Sequence, residues 1–146
     1  MPVRLTIPKI KVEAAVESVG LTPQGAMDVP EKTGSVAWFS LGSRPGENGS
    51  AVMAGHYGRK NGKASVFDNL YKLRPGDKLS VEDDQGLVIS FVVRATRRYD
   101  QRANAPEVFD SSDGQSHLNF VTCEGVWDKV SQSYPTRLVI FTDREY

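Results

Sequence analysis

Lys78-Leu79-Ser80-Val81-Glu82, the tetrapeptide Asp83-Asp84-Gln85-Gly86 and the run Leu87-Val88-Ile89-Ser90-Phe91-Val92-Val93-Arg94-Ala95-Thr96 decide the fold class. In the first run apolar and polar residues alternate, the period of a strand with one buried face. The acidic, Gly-ended tetrapeptide turns it into the second run, so the stretch reads as a β-hairpin. The same period recurs outward in both directions. Arg4 to Ile7 leads into Pro8, Ala14 to Val19 ends at Gly20, and Ser50 to Gly55 is a small apolar run. His117 to Cys123 and Arg137 to Thr142 are the last strands. Turn chemistry separates them at Pro23-Gln24-Gly25, Arg44-Pro45-Gly46-Glu47 and Arg74-Pro75-Gly76-Asp77. The repeated Arg-Pro-Gly-acid is turn usage, because its flanks do not match. Many short strands between Gly/Pro turns predict an all-β closed barrel or sandwich.

One stretch has another period. Val66, Phe67, Leu70 and Leu73 fall at helical spacing, which predicts a short helix over 66–73. Tyr99 to Gln115 and Glu124 to Pro135 lack strand pattern and are expected to be long loops. Their Val108, Phe109, Val126, Trp127 and Tyr134 favour ordered loops.

At 146 residues the chain is expected to be one domain spanning 1–146, without a linker or low-complexity segment. It is 39% hydrophobic and 25% charged, enough to build a core. Eighteen basic residues balance eighteen acidic ones, and no basic stripe with interleaved aromatics supports nucleic-acid binding. A single cysteine excludes an internal disulfide and a multi-cysteine zinc site; two histidines argue against a histidine-rich metal cluster. Apolar runs reach no more than five residues, against the roughly 20 of a membrane helix. No signal peptide precedes the first strand. Met1 is either the start of a cytosolic chain or a cut within a longer precursor.

Cys123 stands at the end of His117-Leu118-Asn119-Phe120-Val121-Thr122-Cys123, where Glu124-Gly125 turns the chain. Alternation puts Asn119, Val121 and Cys123 on one face of this strand, with Leu118, Phe120 and Thr122 on the other. Such a thiol can face a groove, or be a buried cysteine acting as a small hydrophobe. A nucleophilic thiol works as thiolate and needs a base or electropositive neighbours. His56, at the end of Ser50-Ala51-Val52-Met53-Ala54-Gly55, is the candidate; the small Ala54-Gly55 pair permits close approach of a backbone or ligand. His117 lies six residues before Cys123 on the same strand, roughly 20 Å away at ~3.3 Å per residue, too far to serve as base. Arg137 opens Arg137-Leu138-Val139-Ile140-Phe141-Thr142. It either snorkels outward or meets an anion. A Cys/His/Arg set can combine nucleophile, proton carrier and oxyanion donor.

Val121-Thr122-Cys123, Ala54-Gly55-His56 and Arg137-Leu138-Val139-Ile140 resemble, in order, the three signature segments of sortases. Ile7-Pro8-Lys9-Ile10, Gly20-Leu21-Thr22-Pro23-Gln24-Gly25-Ala26-Met27-Asp28-Val29-Pro30 and Gly46-Glu47-Asn48-Gly49-Ser50-Ala51-Val52 extend the resemblance over nearly the whole chain. The pattern is most similar to classes D, E and F, class F first. The nucleophile strand departs from the family's Thr-Leu-x-Thr-Cys at Asn119 and Phe120, which affects packing and substrate fit while Thr122 and Cys123 remain.

The resemblance implies a closed eight-stranded β-barrel with one or two short helices. It also implies a cysteine transpeptidase that cleaves a Leu-Pro-x-Thr-Gly-like sorting signal of surface proteins between Thr and Gly. Cys123 would form the thioacyl-enzyme, His56 move protons, Arg137 hold the substrate carbonyl and oxyanion, and Thr122 border the substrate. The acyl group would pass to an amine, from a peptidoglycan cross-bridge or a pilin lysine. The Tyr99–Gln115 and Glu124–Pro135 loops would wall the groove. The expected location is the outer face of the membrane of a mainly Gram-positive cell, held by an N-terminal anchor preceding Met1. No cofactor or metal is implied: no stretch resembles a calcium loop, and Asp83-Asp84 reads as decoration of a turn. A cysteine hydrolase using the same residues, and a non-catalytic β-barrel binding module, are the alternatives.

Overall fold

The computed structural model describes residues 1–23, 25–58, 64–100, 106–111, 113–124 and 136–145. Eight strands close into a barrel: β1 (Pro2–Ile7), β2 (Val12–Val19), β3 (Val36–Phe39), β4 (Gly49–Gly55), β5 (Lys78–Asp83), β6 (Val88–Asp100), β7 (Ser116–Glu124) and β8 (Thr136–Arg144). Around the barrel they run β1-β2-β3-β4-β7-β8-β6-β5, with β5 returning to β1. The β2–β3 and β4–β7 pairs are parallel and the others antiparallel.

Strand alternation supplies the core. Leu5 and Ile7, Val12 and Ala14, Leu79 and Val81, Leu118 and Phe120, and Leu138 and Ile140 form part of one buried cluster inside the barrel. The hairpin expected from Lys78 to Thr96 is present as β5 and β6, and the Asp83 carboxylate accepts hydrogen bonds from the Gln85 and Leu87 N–H groups in its turn.

A second apolar layer covers part of the barrel's outside. Val52, Val108, Val139 and Phe141 are buried there, with Met27, Phe39, Ala95, Tyr99 and Val121 packed against them. This explains two runs that do not alternate, Ala51 to Met53 on β4 and Leu138 to Phe141 on β8, because their strands are buried on both faces. It also explains why the pattern above misses β3. Val36-Ala37-Trp38 is buried throughout, so the period-2 signal that marks a half-exposed strand is lost.

Two further expectations are refined. Over 66–73 there is no regular α-helix; turns lead into a single 3₁₀ turn at Leu70–Lys72. Phe67, Leu70 and Leu73 are nonetheless all buried, so the spacing reports the core-facing side of a tight turn. The Asp68 carboxylate supports that turn by accepting from the Gly58 and Ser65 N–H groups. Tyr99 is no loop residue, since β6 continues to Asp100, paired with β8. A register shift between Val93 and Ala95 bends this strand, and a bulge of that kind lets it serve β5 along one half and β8 along nearly all of its length.

Candidate active site

Strand register brings distant parts of the sequence onto one level at the end of the barrel. Cys123 on β7 is paired with Arg137 on β8, and Arg137 with Tyr99 on β6. On the other side, Ala54 of β4 lies beside Val121 in the parallel pair. Cys123, Arg137 and Tyr99 thus form one row across three neighbouring strands, with adjacent backbones about 5 Å apart. His56 directly follows the end of β4, and the β4–β7 register, carried two residues past its last pair, would set it level with Cys123. The Cys123 side chain itself lies outside the described residues.

Local packing fixes the His56 end of the row. Gly55 has no room for a side chain, because a Cβ there would sit 2.5 Å from the Phe67 ring and 2.8 Å from Val66. The Phe67 N–H donates to the His56 carbonyl at 3.1 Å. The close approach foreseen at Ala54-Gly55 is therefore made by the turn at 64–70. The imidazole is half-buried, and its Nε2 lies 2.6 Å from the Pro30 carbonyl. A carbonyl only accepts, so Nε2 carries the hydrogen and Nδ1 is left for other chemistry. Pro30 is held in turn by its neighbours. Glu17 on β2 accepts from the Glu31 and Lys32 N–H groups at 3.0 and 3.4 Å.

Thr122 is 3% exposed, and its hydroxyl donates to the Gly55 carbonyl at 2.8 Å, tying β7 to the residue before His56. Phe120 fills the barrel, edge-on against Phe67 with ring centroids 5.8 Å apart. Phe120 thus packs under the turn whose Phe67 N–H holds the His56 carbonyl.

The row opens on a groove of about 570 Å³ bordered by Thr122 and Arg137. Among the described residues its lining is mostly apolar, with Met27, Phe39, Val108, Phe109, Val121 and Val139 prominent, and its charged side chains are Asp28 and Arg137. One wall is the 20–30 segment, folded back on itself through the Leu21–Met27 bridge and the Asp28 N–H to Gly20 carbonyl bond. The facing wall is the segment from Pro106 to Phe109, within the first expected wall loop. Of the second, Glu124 to Pro135, only the Glu124 backbone lies within the described residues. The Tyr99 hydroxyl, at the end of the row, donates to Glu107 at 2.8 Å. Burial first, then that bond, pushes the Tyr99 phenol above its ordinary pKa. Its own backbone N–H and the Tyr99 hydroxyl hold Glu107 below the usual carboxylate range. Sequence reading missed the groove contribution of Tyr99 because a lone tyrosine beside an apparent loop carries no periodic signal.

His117 stands six residues before Cys123 on β7. Its Nδ1 lies 2.7 Å from Asp143 and its Nε2 2.8 Å from Asp113. Both carboxylates accept when ionised, so the imidazolium is the form that makes both bonds. The Asp113 carboxyl is held below its usual range by the Gln115 N–H and then by His117. His117 therefore belongs to a separate polar groove, which also includes Arg94, Arg97 and Asn119.

A closed eight-stranded barrel with a mostly apolar groove at one end, bordered by Thr122 and Arg137, defines the class of fold. The sortase-domain family model matches residues 5–145, and the chain belongs to the sortase family, whose enzymes are cysteine transpeptidases acting on the sorting signals of surface proteins at the cell envelope. Among solved structures, the chain is similar to sortase C-1 from Actinomyces oris, with 22% identity and a TM-score of 0.77, over 98% of this chain and 73% of that one. Sortase A from Corynebacterium diphtheriae gives 18% identity and a TM-score of 0.74, over 98% of this chain and 60% of that one. A sortase D5 transpeptidase from Clostridium perfringens gives 20% identity and a TM-score of 0.72, over 98% and 78%. The chain thus spans part of the length of each. Comparison with curated proteins found no match.

Proposed function

We propose that this chain cleaves a Leu-Pro-x-Thr-Gly-like sorting signal between Thr and Gly and passes the acyl group to an amine. The observation that supports this reading is the pairing of Cys123 with Arg137, with His56 directly after the end of β4, at the end of an apolar groove. The Cys123 thiolate attacks the Thr carbonyl carbon, and the carbonyl electron pair moves onto oxygen. Arg137 binds that oxygen as charge develops on it. When the tetrahedral species collapses, the C–N bond breaks and His56, as the imidazolium that holds the Cys123 thiol proton, delivers that proton to the leaving Gly amine. Because Nε2 is engaged by Pro30, Nδ1 is the nitrogen available for this transfer. An incoming amine then gives its proton to His56 and attacks the thioester, which releases the Cys123 thiolate. Thr122 borders the substrate and also steadies the Gly55 carbonyl beneath His56. The class F-like assignment, with classes D and E beside it, rests on the sequence pattern quoted above.

The acceptor is a cross-bridge amine or a pilin lysine, and the domain works on the outer membrane face through an apolar anchor of roughly 20 residues ahead of Met1. Among the described residues no helix is long and apolar enough to cross a membrane. The full-length reading frame tests the anchor.

The chemistry is tested by incubating the protein with a signal peptide, with and without an added amine, and analysing both products and protein by mass spectrometry. The expected result is a thioacyl adduct on Cys123, amide product with amine, and loss of both in Cys123→Ala. Turnover by Cys123→Ala would eliminate the covalent route. A product that remains the free acid at saturating amine would make the chain a hydrolase. No adduct and no peptide binding would leave it a non-catalytic barrel.

A further inference from the structure

The outward faces of β4, β7, β8 and β6 form successive rows. Behind the row of Cys123, Arg137 and Tyr99 comes Ala54, Val121, Val139 and Arg97, then Val52, Asn119, Phe141 and Ala95. The segment from Pro106 to Ser111, with Asp113 beyond it, lies over these rows and separates two grooves on one sheet face. Val108 and Phe109 border the apolar groove, while Glu107, Asp110 and Asp113 border the polar one.

This wall belongs to no strand. Within the described part of Pro106–Asp113, the polar ties to the barrel come from side chains. Tyr99 donates to Glu107 at 2.8 Å, His117 meets Asp113 at 2.8 Å, and Asn119 Nδ2 donates to the Val108 carbonyl at 2.7 Å. The first two ties end on carboxylates that are themselves exposed, and such bonds in water hold little. The Asn119 tie differs, since Asn119 and Val108 are 1% and 4% exposed.

Among the described residues, Asn119 Oδ1 is buried without a partner. A buried amide with an idle acceptor is unfavourable at a position where an apolar or smaller residue would fit the sheet. Its donor to Val108 is the feature that accounts for it. This is also where the chain departs from the family's usual threonine. A threonine hydroxyl sits one bond beyond Cβ, whereas the amide nitrogen sits two bonds beyond it, so the shorter side chain would have to draw Val108 closer to the sheet.

We propose that Asn119 is a positioning residue that sets the width of the apolar groove by fixing the Val108 carbonyl, and so selects signal peptides by the bulk of the side chain seated against Val108 and Phe109. The proposal rests on the sortase reading for its substrate, while the fixing of the wall can be measured without turnover. Asn119→Thr, Asn119→Ala and Asn119→Leu are compared with the parent protein. The leucine keeps the branched shape and has no donor. Hydrogen exchange of the 107–111 amides, thermal melting, labelling of Cys123 by a small thiol reagent, and kinetics on signal peptides of graded bulk are measured.

Faster exchange at 107–111 is expected in all three variants, with the labelling rate of Cys123 unchanged. For the best peptide of the parent protein, KM is expected to rise about tenfold, the scale of one buried hydrogen bond, with kcat within about twofold. The order of preference among peptides should shift with the variant. If a variant fails to fold, the threonine variant still decides through exchange. Parent-like exchange and parent-like peptide order in Asn119→Thr would overturn the proposal, as would a loss confined to kcat. Absence of a thioacyl adduct in the parent protein would instead count against the sortase reading, and the exchange result would still decide the role of Asn119 in holding the wall.

Discussion

Arg137 sits directly across the β7–β8 pair from Cys123 and is exposed at the groove, which lets one substitution separate two roles. Lysine keeps the charge and discards the planar fork of donors. If Arg137 orients a carbonyl and then meets the oxyanion, Arg137→Lys should lose about 10²–10³ in kcat, close to Arg137→Ala, with little change in KM. Steady-state kinetics on one signal peptide decide this, and a lysine variant near the parental rate would reduce Arg137 to a steering charge. The two histidines offer a matched pair. His56→Ala should cost at least about two orders of magnitude in kcat, the scale of general acid–base catalysis. His117→Ala should leave kcat nearly unchanged, because its ring is committed to Asp113 and Asp143. The Pro30 bond adds a spectroscopic check. Nitrogen chemical shifts of neutral His56 should report the Nε2–H tautomer, and the opposite tautomer would refute Nδ1 as the transferring atom.

Elements transmit packing to those residues, and the end of β4 shows how. Gly55→Ala would push a methyl group into the Phe67 ring, whose side chain is fully buried. Overpacking of this kind costs about 1–3 kcal/mol. Because the Phe67 N–H also holds the His56 carbonyl, kcat should fall in a variant that still folds. Denaturant melts with kinetics on the same preparation check both effects, and a variant unchanged in both would show that the turn yields freely. β5 and much of β6 were readable from alternation because each keeps one face inward, and β7, though buried on both faces, still alternates because its outward His117 and Asn119 are polar. β3 was not readable, being buried on both sides, nor was the last part of β6, where Arg97, Arg98 and Tyr99 follow no apolar period. Candidate site residues could be named from their places at strand ends and from family likeness. Their levelling into one row could not, since it depends on the parallel β4–β7 register, which no local pattern encodes. The groove walls were likewise only partly legible. Pro106 to Phe109 is held by side chains from distant strands, and tertiary ties of that kind leave no periodic mark in sequence.

At the scale of the molecule, acid should loosen the fold in a defined window. Asp77 is held below the usual carboxylate range by the Lys9 ammonium and the Arg74 N–H, and Asp113 by the Gln115 N–H and His117. A lowered folded value means that the unfolded chain binds more protons, so these groups stabilise fully above the ordinary carboxylate pKa of about 3.9 and lose that contribution as pH falls through their folded values. The urea midpoint should therefore fall more steeply below about pH 4, and Asp77→Asn should flatten part of that slope; an unaltered slope would dismiss Asp77 as a contributor. The closure of the ring has a different consequence, for the history of each molecule. Of these eight strands β1 is made first, yet it pairs with β5 through partners such as Arg4 and Glu82, and β6 must wait for β8. Pairings between such distant segments make a chain search slowly, on the millisecond-to-second scale of β-barrels. Until the last seam joins, the nascent sheet exposes bare hydrogen-bonding edges that another copy can extend, a hazard the finished ring abolishes. A chain deprived of Pro2–Ile7 would keep β2 and β5 as permanent edges and should precipitate at concentrations where the closed ring stays dispersed.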